Sequence, residues 1–333
     1  MSLKPPRNRF AHSASSTLPF PRRDRVAVFR EFVIETFGCS EPGVILDVAG
    51  GKGDLSWLLV NKDGVDAVVV DPRPTDHTKI SRTARYIWER RDDPEFMEGR
   101  DRQVLTKMGL VPPFRAPKHL QVFVDDALHK ALLREVGLDG ADAKNDFEPK
   151  AIWTCCVCNG TGSLLDGTCP LCVDDEELVQ QDWSSFWESA SERANALEPC
   201  GHHQPKHMIP PPSDVCRIGD PSIALELLKS TRLVLGFHAD QATEHCIDLA
   251  LALKVPFAVV PCCIFAKVET PASIGNQTKS SRLGRYNGFV EYLRRKHPAI
   301  RAAKLDFGLI GGYAESFRAK NDVLYMLPSD FAE

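Results

Sequence analysis

Val44-Ile45-Leu46-Asp47-Val48-Ala49-Gly50-Gly51-Lys52-Gly53-Asp54-Leu55 decides how this chain folds. An apolar run ends on a carboxylate, small residues follow, and Leu55, Leu58, Leu59 and Val60 then recur at helical spacing. Strand, glycine turn and helix in that order make half of a βαβ unit. Glycine lets the backbone approach a ligand and take positive φ, so such a turn offers N–H groups and a helix N-terminus to a nucleotide. The pyrophosphate fingerprint Gly-x-Gly-x-x-Gly is met only by Gly51-Lys52-Gly53-Asp54-Leu55-Ser56, with serine in the third place. A nicotinamide reading is weakened accordingly.

The pattern continues outward on both sides. Val26, Val28, Phe29, Phe32, Val33 and Phe37 predict an amphipathic helix over 24–38. Residues 67–70 read as a second strand ending at Asp71, and 120–124 as a third ending at Asp125-Asp126. A fourth covers 233–236, a helix 241–254, and a fifth strand 257–260 ends at Pro261-Cys262-Cys263. A helix over 282–297 and two closing strands, 303–307 and 323–326, complete the series. Alternating apolar strands and helices imply an α/β fold: a mainly parallel, seven-stranded, Rossmann-like sheet covered by helices on both faces. Ligands then bind at the carboxyl ends of the strands, where Asp47, Asp71, Asp125 and Asp126 fall.

Residues 131–229 form a gap too long for an ordinary crossover, so the main domain is expected over 24–130 and 230–333 with an insertion between. The insertion contains Cys155-x-x-Cys158 and Cys169-x-x-Cys172 within a module over about 151–175. Two such knuckles supply four thiolates, the ligand set of a structural tetrahedral zinc ion. Cys156 lies in the same knuckle and is an alternative to Cys155. Cys200, His202, His203, His207 and Cys216 form a second, irregularly spaced ligand-rich stretch.

Composition bounds the function classes. The 333 residues carry a net charge of −4, so a nucleic-acid surface has to be local rather than global. The longest apolar stretch, 249–266, is broken by Lys254, Pro256 and Pro261, so no membrane span and no membrane partner are expected. Eleven cysteines without an apolar leader point to a reducing compartment, cytosol or nucleus. Residues 1–23 are basic, lack acids and are rich in Ser and Pro; they read as a disordered tail, with a mitochondrial transit segment as the alternative.

Asp47 followed by Ala49, Gly51 and Gly53 at alternate positions, with Gly50 between, resembles motif I of class I S-adenosylmethionine-dependent methyltransferases. Ala49 stands for the motif's first glycine. The resemblance implies that Asp47 serves the amino-acid end of the cofactor, that Asp71 accepts hydrogen bonds from the ribose hydroxyls, and that Asp125 or Asp126 faces the adenine amino group. The runs 236–244 (Gly-Phe-His-Ala-Asp-Gln-Ala-Thr-Glu) and 256–263 (Pro-Phe-Ala-Val-Val-Pro-Cys-Cys) resemble one subgroup of these domains. It includes the methyltransferase part of the glutathione S-transferase C-terminal domain-containing protein and, more distantly, the tRNA acceptor-stem ribose 2′-O-methyltransferases. The subgroup implies an RNA or protein acceptor. The extended knuckle Cys158-Asn159-Gly160-Thr161-Gly162 is similar to the zinc-binding repeat of DnaJ-type chaperones.

His238 and Asp240 follow the fourth strand, where either can orient or deprotonate an acceptor; the alternative is a packed turn residue and a helix cap. Cys262 is a candidate thiolate nucleophile or an inert residue at a buried strand end. Arg282, Arg285, Arg294, Arg295 and Lys296 with Tyr286 and Tyr292, and separately Arg82, Arg85, Arg90 and Arg91, suit phosphates and bases or else a solvated helix face. The reading that follows is an S-adenosylmethionine-dependent methyltransferase with structural zinc, acting on tRNA or rRNA. The competing class is a non-catalytic RNA- or protein-binding assembly factor with the same fold.

Overall fold

A computed structural model of the protein describes residues 22–98, 105, 108–137, 163–164, 167–168, 181–195, 216–239, 242–261, 282–305 and 321–331. The chain runs α1 (Arg22–Phe37), β1 (Val44–Val48), α2 (Asp54–Leu58), β2 (Ala67–Val70), α3 (Thr78–Glu89), α4 (Pro94–Glu98), β3 (Lys118–Leu120) and α5 (Asp126–Glu135). It continues through β4 (Ser163–Leu164), β5 (Gly167–Thr168), α6 (Trp183–Asn195), β6 (Cys216–Arg217), α7 (Pro221–Lys229), β7 (Thr231–Phe237) and α8 (Thr243–Ala252). The last elements are β8 (Phe257–Val260), α9 (Arg282–Arg295), β9 (Arg301–Lys304) and β10 (Asp322–Met326). A π-helical turn, Leu59–Asp63, prolongs α2 and stops at Gly64, whose φ is 69°.

One sheet organises the molecule, in the order β6-β3-β2-β1-β7-β8-β10-β9. It has eight strands, which corrects the expected seven. The added strand is β6, two residues pairing in parallel with Lys118 and His119 of β3, too short to leave a periodic signal. The sheet is also mixed: β10 runs antiparallel to both β8 and β9, while the other pairings are parallel. Apolar periodicity reports burial, not strand direction, so the reversal is invisible in sequence.

The pleat divides the core into two layers. Val44, Leu46 and Val48 point to one face and pack with residues of α5, α6, α7, α8 and α9. Ile45 points to the other, with Val26, Phe29 and Phe32 of α1, Leu55 and Leu58 of α2, and Ile80 and Ile87 of α3. Phe29 stacks on Phe237 at 5.1 Å between ring centroids, which seats α1 against the end of β7. Trp183, Phe186 and Trp187, from the stretch expected to be an insertion, are buried in the first of these layers. Burial of side chains this large contributes roughly 1.5–3 kcal/mol each, so α6 belongs energetically to the main core.

One strand boundary moves, and one helix face is reassigned. β3 lies at Lys118–Leu120, not at 120–124, so Asp125 does not end a strand. It is instead the N-cap of α5, its Oδ1 accepting the Leu128 N–H at 3.0 Å. The helix expected to carry a basic, aromatic RNA face is partly an internal one. Tyr286 is buried, and Lys296, with a side chain 6% exposed, lies between Glu244 at 2.8 Å and Asp248 at 2.7 Å. The hydroxyl of Tyr292 also donates to Glu244. A basic residue at helical spacing looks the same in sequence whether its partner is a phosphate or a buried carboxylate.

Candidate functional site

The strand order reverses between β1 and β7: the chain steps one way through β2 and β3 and the other way through β8. Such a switch point opens a crevice at the carboxyl ends of the two strands. Both ends leave the extended conformation abruptly. Ala49 has φ 52° and His238 φ 55°, each in the left-handed region that non-glycine residues seldom adopt.

The glycine turn is built on two buried carboxylates. Asp47, 1% exposed, accepts from the Ser56 hydroxyl at 2.9 Å and the Ser56 N–H at 3.2 Å through Oδ2. This ties the end of β1 to the first turn of α2. A Cβ on Gly50 would lie 2.8 Å from that same Oδ2, so the carboxylate occupies the room a side chain needs. Asp71, at the end of β2 as expected and with a fully buried side chain, accepts the Gly51 N–H at 2.8 Å. Arg73 closes over the carboxylate, Nε to Oδ1 at 3.0 Å and Nη2 to Oδ2 at 2.9 Å, and its backbone N–H adds a third bond at 2.8 Å. Gly51 and Gly53 take φ 61° and 77°. The site therefore presents a pre-shaped backbone cradle with an acid on each side, covered from outside by the Arg73 side chain, which is 46% exposed.

Beneath the turn lies a polar layer that the sequence did not signal. Asp47 pairs in register with Val69, and Val69 with His119, so the three share one face of the sheet. The Nε2 of His119 lies 2.8 Å from the Asp71 carbonyl oxygen. His77, which precedes α3, sits against the turn: a Cβ on Gly53 would lie 2.5 Å from its Cε1. Thr75, His77 and His119 are all buried, and the Thr75 hydroxyl, both nitrogens of His77 and Nδ1 of His119 make no hydrogen bond among the described residues. Burial pushes the pKa of His77 down to about 4, with His119 adding to the effect and Asp76 opposing it. Burial likewise lowers His119, against Asp71. Both rings are neutral near pH 7.

The remaining expected site residues separate into groups. His238 stands at the mouth of β7, its N–H donating to Val260 at 3.0 Å and its ring 4.4 Å from that of Phe237. Asp125 pairs with Arg193 at 2.9 Å, and Asp126 lies 3.5 Å from Nδ1 of His245, so both tie α5 to neighbouring helices. Asp240 and Cys262, the four expected zinc ligands Cys155, Cys158, Cys169 and Cys172, and Cys200, His202, His203 and His207 lie outside the described residues. Between the two cysteine pairs, β4 and β5 form an antiparallel hairpin with Ser163 opposite Thr168. Cys216 is exposed on β6, and among the described residues no group of three or more His, Cys, Asp or Glu is arranged to hold a metal. No described helix is long and apolar enough to cross a membrane.

His77, His119 and Arg73 are the residues that sequence reasoning missed, and Ser56 was read only as a departure from the glycine fingerprint. His119 fell one residue before the expected third strand and so left no signal. Comparison of the chain with protein families, with curated proteins and with solved structures found no match in any of the three.

Proposed function

We propose that the chain is an S-adenosylmethionine-dependent methyltransferase acting on RNA. One observation carries the reading: the glycine turn, with a buried acid at the end of β1 and another at the end of β2, flanks the crevice where strand order reverses. The pattern Asp47, Ala49, Gly51, Gly53 and Asp71 fits that geometry. The reversed β10 separates the sheet from the all-parallel six-strand order of nicotinamide enzymes, which speaks against an oxidoreductase.

The residues present suit the methyl donor. Gly50 and Gly53 leave no space for a Cβ, which would meet Asp47 at one and His77 at the other, so the turn can be built only from glycine there, and Asp71 is an acceptor for a ribose diol once Arg73 moves aside. S-adenosylmethionine, when bound, supplies an electrophilic methyl group on a sulfonium. The protein's part is then to align the acceptor in line and to receive its proton. His238, and Asp240 two residues on, stand in sequence just beyond β7, where such a base belongs. Cys262 follows β8 by one residue after Pro261 and is proposed to shape the pocket or act as a nucleophile. Asp125 and Asp126 remain proposed adenine-side residues.

Zinc held by Cys155, Cys158, Cys169 and Cys172 is proposed as a structural ion. The hairpin of β4 and β5 lies between the knuckles and runs straight into Cys169, a connection that suits two knuckles closing on one ion. Incubation with S-adenosylmethionine labelled in the methyl group and RNA from cells lacking the gene tests the proposal. Label in RNA is the expected result. Binding of the donor with label in neither RNA nor protein favours the non-catalytic assembly factor.

A further inference from the structure

We infer that α3 is the docking surface for a single-stranded RNA segment and leads it toward the glycine turn. The inference rests on the RNA-methyltransferase reading for its biological sense, though not for its observations. Ile80, Ala84 and Ile87 seat one face of the helix in the core, and Lys79, Arg82, Arg85 and Tyr86 occupy the opposite, exposed face. Lys79, Arg82 and Arg85 stand three residues apart and span about 9 Å of helix axis. None of the three is ion-paired among the described residues.

Three cations side by side repel one another unless an anion lies over them; the one acid on this face of α3, Glu89, makes no ion pair with them among the described residues. Contrast α9, where Arg294 and Arg295 both reach Glu291 and Lys296 is buried between two acids. Among the described residues, the exposed face of α3 is a cationic face open to an external polyanion.

Aromatic groups distinguish the partner. Tyr86 is 37% exposed beside the cations, and the Arg90 guanidinium lies 4.7 Å from its ring centroid and 5.5 Å from that of Phe96. Arg91 sits 3.8 Å from the Trp88 ring centroid. Arg91 also pairs with Asp92 at 3.4 Å, but flat cation–aromatic platforms beside the unpaired Lys79, Arg82 and Arg85 suit unstacked bases and phosphates together, which neither a lipid surface nor an acidic peptide supplies. The direction follows from His77, which precedes α3 and touches the position of Gly53. A strand lying on α3 therefore has one end at the turn.

The test uses the full chain, a fluorescent single-stranded oligoribonucleotide of mixed sequence, and anisotropy titrations over a range of salt. The triple variant Lys79→Gln/Arg82→Gln/Arg85→Gln is expected to bind at least tenfold more weakly, with the log–log salt slope reduced by about 2. Tyr86→Ala is expected to cost roughly fivefold or more with the slope unchanged. Equal binding and slope in the triple variant overturns the inference, as does equal affinity for heparin combined with no effect of Tyr86→Ala. Tighter binding to phosphatidylserine vesicles than to RNA assigns the face to a membrane instead and overturns it too. Calorimetry with S-adenosylmethionine on the same variants separates the two readings. Retained donor binding with no RNA effect sinks only the docking face, whereas absent donor binding in the unaltered chain sinks the methyltransferase.

Discussion

The backbone N–H of Gly51 donates to Oδ2 of Asp71, and Arg73 grips the same carboxylate from outside. One side chain thus fixes the glycine turn and is also the acceptor proposed for the ribose. Asp71→Ala removes both functions. It is expected to lower stability by about 1–3 kcal/mol in urea denaturation, because buried donors lose a charged partner, and to abolish detectable donor binding. Arg73→Ala uncovers the carboxylate and is expected to bind S-adenosylmethionine at least as tightly as the unaltered chain. Loss of binding in Arg73→Ala shows that the arginine, not the acid beneath it, is the ligand.

Gly53 admits no side chain. Its φ of 77° and the 2.5 Å approach of His77 act together, so Gly53→Ala is expected to cost about 2 kcal/mol or more, read as a shift of the urea midpoint. Gly64, at φ 69° with nothing near its missing Cβ, is the control: Gly64→Ala should cost about 1 kcal/mol. Equal effects at the two positions contradict the crowding described under the turn.

His77 makes stability depend on pH in a defined direction. Its folded pKa of about 4 lies below the ordinary 6.5, so the unfolded chain takes up the proton first. The stabilisation is complete above pH 6.5 and is lost as pH falls toward 4, by roughly 3 kcal/mol. The variant His77→Leu should show a shallower fall of Tm over that window. An unchanged acid slope means that the imidazole charges without strain.

Lys296 holds two acids of α8 to the end of α9. Burial works against its charge, but Asp248 and Glu244 outweigh it and hold its pKa above the usual lysine range. Removing the cation leaves Glu244 buried and unopposed by it, so Lys296→Met is expected to destabilise by about 3–5 kcal/mol. RNA affinity should be unaffected at a temperature where the variant is folded. A salt-dependent loss of RNA binding instead returns this residue to the nucleic-acid surface.

How much of this was legible depended on the kind of signal. Val44 to Gly53, residues 67–70 ending at Asp71, and residues 257–260 carry their structure locally, because an apolar run and a glycine turn need no partner to be recognised. β3 was displaced because Val122 is buried without pairing, so apolarity continued past the ladder. β6 is two residues long and has no period. Lys296 and His77 were misread or missed for a common reason: their meaning lies in what faces them, Glu244 in one case and Gly53 in the other, and those contacts are set by packing between distant segments.

The central claim is that the turn from Ala49 to Gly53 holds S-adenosylmethionine. Isothermal titration of the full chain with S-adenosylmethionine, and separately with NADH, tests it most directly. The expected result is saturable binding of one S-adenosylmethionine per chain, competed by S-adenosylhomocysteine, with no heat from NADH. Absence of donor binding by a folded chain, or saturable binding of NADH in its place, would contradict it.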